Sequence, residues 1–185
     1  LKCTVGIAAQ LPELVGFVAG IQGQDLSPVY VRIDVKNAVD WLEGKTNVDA
    51  TKNAVNAVKD SITAHGHTVN DDGQMADFVE VTGLHPGATA MDALEEACDA
   101  LGLVTKGSAY YVAGIGTVVN KEEVYLSEKA TEPYSGWLYL DKPEGGTAFS
   151  MANYGASSYN LNGGEQFVWA FANGWGEDQY KYLNQ

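Results

Sequence analysis

Gln166-Phe167-Val168-Trp169-Ala170-Phe171-Ala172 is the stretch on which the fold turns. Phe167, Trp169 and Phe171 share one parity and Val168, Ala170 and Ala172 the other, so the run reads as a strand apolar on both faces, buried within a sheet. Leu161-Asn162-Gly163-Gly164 ahead of it is the turn that feeds it. Most of the chain's aromatic residues follow Gly107 and are interleaved with glycines, a texture of strands and turns.

Upstream of this strand the periodicity changes to helical. Met91, Leu94, Cys98 and Leu101 form one stripe, Thr89 and Asp92 resemble a capping box at its start, and Gly102 marks its end. Phe78 to Thr82 reads as a strand, followed by a turn from Gly83 to Gly87 around Pro86, and Asn70-Asp71-Asp72-Gly73 as a further turn. From Thr46 to His65, Val48, Val55, Val58 and Ile62 fall on one helical stripe opposite Lys52, Asn56, Lys59 and Asp60, with Gly66 as terminator. Val29, Val31, Ile33 and Val35 recur with period two as a strand, after which Asn37 is expected to cap a short helical turn carrying Ala38, Val39 and Leu42. Cys3, Val5 and Ile7 alternate over Lys2 to Ala8 as a first strand, and Leu11 to Ile21 is irregular or weakly helical. The order predicts an α+β protein in a single domain, 1–185, with a core over 78–172 and a helical insertion over 10–74 between two strands of one sheet.

Composition sets limits on function. With 185 residues, 45% hydrophobic and 19% charged, the chain is of globular type. The net charge is -13 and Arg32 is the only arginine, so there is no basic stripe to neutralise phosphates and nucleic acid is excluded as a partner. The most apolar long run, Val5 to Ile21, is interrupted by Gln10, Pro12 and Glu13, short of the ~20 apolar residues of a membrane span. The start at Leu1 is that expected of a mature chain whose targeting segment has been removed. Cys3 and Cys98 lack metal or redox spacing, and both sit at apolar positions. Buried free thiols and a disulfide are equally open, a secreted context favouring the bridge.

Three segments carry a resemblance: Tyr134-Ser135-Gly136-Trp137-Leu138-Tyr139, Asn153-Tyr154-Gly155-Ala156-Ser157-Ser158-Tyr159-Asn160-Leu161, and Gly164-Glu165-Gln166-Phe167-Val168-Trp169-Ala170-Phe171. In their order and spacing they resemble the transcobalamin-like C-terminal domain of bacterial surface proteins. The likeness runs from about Phe78 to Phe171 and takes in the helix at Thr89 to Leu101 and the Tyr111-Val112-Ala113-Gly114-Ile115 segment. It departs from the family at Leu140 to Gly146, longer than the usual hairpin turn, and at Glu165, which stands for an aspartate. The resemblance implies a β-grasp-like fold, a mixed sheet packed on one main helix, and a secreted or cell-surface location. In animal cobalamin carriers the related domain closes over a corrinoid, which implies a corrinoid-like or other small molecule as ligand.

No nucleophile with its base, carboxylate pair or metal cage is legible in the sequence, so neither catalysis nor a cofactor is expected. His65-Gly66-His67 with Asp71 and Asp72 lacks the spacing of a recurrent zinc site, and Gly114-Ile115-Gly116 lacks the third glycine and acidic partner of a dinucleotide fingerprint. The functional signal lies in the aromatic residues of polar turns, which give wide contact area at low entropic cost. Trp137, Tyr139, Asn153, Tyr154, Ser157, Tyr159 and Trp175 are the expected ligand-binding set. A surface protein or glycan recognised by the sheet edge or the tyrosines is the alternative partner.

Overall fold

The computed structural model describes residues 24–183. The strand expected over Lys2 to Ala8, the segment Leu11 to Ile21 and Cys3 lie outside them. The elements are β1 (Val29–Asp34), α1 (Lys36–Leu42), α2 (Asp49–Ala64), β2 (Val79–Val81), α3 (Ala90–Ala100), β3 (Val104–Ser108), β4 (Tyr111–Val119), β5 (Glu122–Ser127), β6 (Gly136–Lys142), β7 (Ser150–Met151) and β8 (Gln166–Ala172). Short 3-10 turns occupy Ala156–Ser158 and Glu177–Tyr182.

The architecture is α+β, as the order of elements predicts. Its strands form two sheets: a five-stranded mixed sheet in the order β2-β1-β8-β6-β7 and a three-stranded sheet in the order β3-β4-β5. β8 is the middle strand, parallel to β1 and antiparallel to β6. Phe167, Trp169 and Phe171 enter the main core, while Val168 and Ala170 enter a second cluster with Leu140, Phe149 and Tyr182, so β8 is buried on both faces. All three helices, rather than one, contribute to the main core: α3 lies against β1, β2 and β3, α2 against β4 and β5, and α1, with Ala38 buried, against β8. The described part of the stretch expected as an insertion is bound into this arrangement, because β1 is an inner strand of the large sheet and α2 covers the small one.

Local chemistry accounts for α2 and α3. The capping box on α3 is formed: Thr89 N–H donates to Asp92 Oδ2 at 2.6 Å and Asp92 N–H to Thr89 Oγ1 at 3.4 Å. At its other end the carbonyls that a helix leaves unpaired are met from neighbouring elements: Ser61 of α2 donates to Leu101 O at 2.8 Å and Thr117 of β4 to Gly102 O at 2.8 Å. Gly102 has φ +62, and a side chain there would run into the His65 ring, so only glycine lets α2 and α3 approach.

Asn37 is not the cap expected of it. α1 begins at Lys36 with Val35 in the capping position and no side-chain cap, and Asn37 is buried within the helix. The chain turns into α1 straight from β1, and Asn37 O instead accepts a hydrogen bond from Asn173 Nδ2 at 2.6 Å, fixing the helix to the segment after β8.

Candidate functional site

The aromatic residues of β6 and β8 meet on the inner face of the large sheet. Antiparallel pairing puts Trp137 opposite Phe171 and Tyr139 opposite Trp169. Trp137 and Phe171 meet edge to face with centroids 5.5 Å apart, and Tyr139 and Trp169 stack at 4.9 Å. Trp137 Nε1 donates to Leu126 O at 2.8 Å, tying the large sheet to the small one. Tyr139 Oη donates to Tyr154 O at 2.6 Å and thereby pins the loop after β7. Burial, with the Asp141 carboxylate adding to it, pushes the Tyr139 phenol up to about 12, so it stays a donor at neutral pH.

Beside this cluster, between the start of β4 and the loop after β7, lies a cavity of about 190 Å³. Met91, Val112, Trp137, Tyr139, Met151 and Trp169 are among its walls, with Tyr110, Tyr111 and Tyr154 on the outside. These three tyrosines are 79%, 52% and 67% exposed, whereas Trp137, Tyr139 and Trp169 are buried. The indole N–H of Trp169 has no acceptor among the described residues. That nitrogen is out of reach of solvent, so it is a buried donor left unsatisfied within the core beside the cavity. Across Tyr154 a second hollow follows, lined by Asp141, Ser158, Tyr159, Asn160 and Asn162. There Tyr159 Oη donates to Asp141 Oδ2 at 3.2 Å, and burial, then the Asp141 charge, push its phenol well above its ordinary value.

Of the set expected from sequence, Trp137, Tyr139 and Tyr154 come together at the cavity, and Tyr159 stands at the adjoining hollow. Asn153 is exposed and lines neither, Ser157 is half-buried beside them, and Trp175 stands apart, 78% exposed and stacked on Tyr134 with centroids 4.4 Å apart. Sequence reading missed Tyr110, in the turn before β4, Tyr111, the first residue of β4, and Asp141, which it placed in a loop running from Leu140 to Gly146 although β6 continues to Lys142. It assigned Trp169 and Met91 to the core, and both also face the cavity.

The described residues lining the cavity supply ring faces, a thioether surface and hydrogen-bond donors. No carboxylate, imidazole, amine or thiol is among them. The histidines are engaged elsewhere: His65 Nδ1 lies 2.8 Å from Ser61 O, and His67 Nδ1 lies 2.9 Å from Asp77 Oδ2. No group of three or more His, Cys, Asp and Glu among the described residues is arranged to hold a metal ion. Cys98 is buried on α3, and burial pushes its thiol far up; Cys3, the other cysteine, is outside the described residues. No described helix is long and apolar enough to cross a membrane. Compared with known protein families, curated proteins and solved structures, the chain matches none.

Proposed function

We propose that the chain is a non-enzymatic, extracytoplasmic binding module that takes a ring-sized apolar group into the cavity beside Trp137, Tyr139 and Trp169. The wall of buried rings Trp137, Tyr139 and Trp169, with the exposed Tyr110 and Tyr154 beside it, carries this reading, because it matches a flat apolar group. The volume limits the ligand: an apolar cavity of roughly 150 Å³ holds a benzene ring, and this one measures about 190 Å³. A corrinoid, the ligand the resemblance points to, is far larger and would rest across the exposed Tyr110 and Tyr154 rings with only a side group inside. The resemblance also supplies the cell-surface location.

Titration with p-cresol and with cobinamide, followed by tryptophan fluorescence, tests the reading. A saturable change with either, lost in Ala152→Leu, is expected, since Ala152 lines the cavity and a larger side chain fills it. No response to either compound at millimolar concentration overturns it.

A second reading has its own observation. Tyr134 and Trp175 stack in solvent, 62% and 78% exposed, on loops held by Thr131 Oγ1 donating to Asn173 Oδ1 at 2.9 Å. Flat rings offered outward in this way suit the face of a sugar or a partner protein, and glycan-array binding lost in Trp175→Ala would favour it.

A further inference from the structure

The inner row of β6 changes character partway along. Trp137, Tyr139 and Asp141 share one parity and stand opposite Phe171, Trp169 and Phe167 of β8. Trp137 and Tyr139 line the apolar cavity, whereas Asp141, about 7 Å beyond Tyr139 along the strand, lines the neighbouring hollow. Tyr154 lines both, so its exposed ring is the wall they share. The hollow measures about 480 Å³, more than twice the cavity, and so has room for a saturated ring with its substituents.

The hollow is polar, and its polar groups are held in place. Asp141 Oδ2 accepts a hydrogen bond from Tyr159 Oη at 3.2 Å and Oδ1 one from Ser150 Oγ at 3.2 Å, which leaves each carboxylate oxygen a further lone pair. Asn160 and Asn162 alternate with the buried Leu161, so both amides are exposed on one side of the chain, and neither side chain has a partner among the described residues. Their backbone is fixed: Ala90 N–H donates to Tyr159 O at 3.0 Å, Leu161 N–H to Ala88 O at 2.9 Å, and Asn162 N–H to Glu165 Oε1 at 2.7 Å. A carboxylate with spare lone pairs, two amides that both donate and accept, and a ring face are the partners that neighbouring hydroxyls and the C–H side of a sugar require. No lysine, arginine or histidine lines the hollow, and the net charge of the chain is -13, so an anionic sugar is disfavoured.

We propose that the cavity and the hollow form one site for an uncharged aryl glycoside. Its single aromatic ring enters the cavity against Trp137 and Tyr139, the linkage passes Tyr154, and the sugar sits in the hollow with its hydroxyls on Asp141, Asn160 and Asn162. The proposal rests on the cavity being a binding site and names its ligand class. Joining the two rings in one molecule makes the second contact intramolecular, so the glycoside binds more tightly than either of its parts.

The test is calorimetric titration of the full chain with p-cresol, with a panel of p-tolyl hexopyranosides of both anomers, and with the matching methyl hexopyranosides. At least one p-tolyl glycoside is expected to bind at least about tenfold more tightly than p-cresol and than its methyl counterpart. Its advantage over p-cresol is expected to shrink to within about threefold in Asp141→Ala and in the double variant Asn160→Ala with Asn162→Ala. Circular dichroism shows whether Asp141→Ala is folded; if it is not, the double variant decides, because both of its side chains are exposed. The uronate counterpart of the selected glycoside, with a carboxylate in place of the 6-hydroxymethyl group, is expected to bind more weakly. A methyl glycoside that matches its p-tolyl counterpart, an advantage that survives in the folded variants, or a uronate that binds at least as tightly overturns the proposal. If p-cresol binds and no glycoside improves on it, the sugar half of the site alone falls; if neither p-cresol nor any glycoside binds, the cavity reading falls with it.

Discussion

The two faces of the central sheet use the same strands for opposite physics. On the inner face β1 contributes Val29, Val31 and Ile33 and β8 contributes Phe167, Trp169 and Phe171, all within the main core. On the outer face the alternate residues of β1 include Arg32 and Asp34, which are 7% and 0% exposed. Arg32 Nε lies 3.0 Å from Asp34 Oδ2, Asp34 Oδ1 accepts the Met75 N–H at 2.8 Å, and the guanidinium sits 5.2 Å from the centre of the Phe78 ring. The last 3-10 turn closes over this face, with Tyr182 buried and Gln179 Nε2 donating to Ala170 O at 3.1 Å. The inner face is held by area and shape alone, whereas the outer face adds to a smaller apolar cluster a charge pair whose desolvation cost is offset only while both partners remain.

The largest effect should come from the inner face. Phe171→Ala removes a fully buried ring that packs against Trp137, and is expected to cost about 4 kcal/mol in denaturant unfolding. On the outer face Asp34→Leu takes the carboxylate from Arg32 and is expected to cost about 3 kcal/mol, whereas Asp34→Leu combined with Arg32→Met should recover much of that loss. If the double variant is as unstable as the single one, the outer face depends on charge for more than mutual compensation, and the contrast between the faces fails.

pH separates the faces further. Burial outweighs Arg32 and the Met75 N–H and raises the Asp34 carboxyl from 3.8 to about 6. Between those values the folded chain holds a proton that the unfolded chain releases, so stability falls as pH rises from about 4 to 6, by about 3 kcal/mol from this group. Thermal melts across that range are expected to show the fall in the wild type and a flatter dependence in Asp34→Asn. Equal slopes would mean that Asp34 is already ionised when folded.

How much of this was legible follows from the range of the interactions. α2, α3, β1 and β8 were readable because their signals are local: a repeat of side chains, a cap, a stop. The box at Thr89 and Asp92 was read from spacing alone, and Thr89→Ala is expected to cost about 1 kcal/mol, measured by thermal melting. Asn37 misled because the helix starts one residue earlier, at Lys36 directly after β1, which puts Asn37 inside the first turn rather than at the cap. The hairpins β3, β4 and β5 are local, joined by two-residue turns at Ala109-Tyr110 and Asn120-Lys121 that lack the Asn-Gly type of signal, whereas the parallel pairing of β1 with β8 joins residues far apart in sequence, which periodicity does not encode. The site was legible in part for the same reason. Trp137, Tyr139 and Tyr154 lie on one strand and one nearby loop, whereas Tyr110 reaches the cavity from the turn between β3 and β4 and Trp169 from β8.

Trp175 gives the smallest expected effect and the sharpest use of it. A tryptophan that contributes area to a core costs several kcal/mol on truncation, but Trp175 is 78% exposed and its ring partner Tyr134 is exposed too. Trp175→Ala should therefore change stability by no more than about 0.5 kcal/mol in denaturant unfolding. The neighbouring fold is secured without it, since Asn173 N–H donates to Asp178 Oδ2 at 2.9 Å and its side chain is engaged with Thr131 and Asn37. A loss above about 1 kcal/mol would make the stacked pair a packing element and end its claim as a recognition surface. A negligible loss leaves two large rings held in water by loops that do not need them, a surface feature that calls for a partner to explain it.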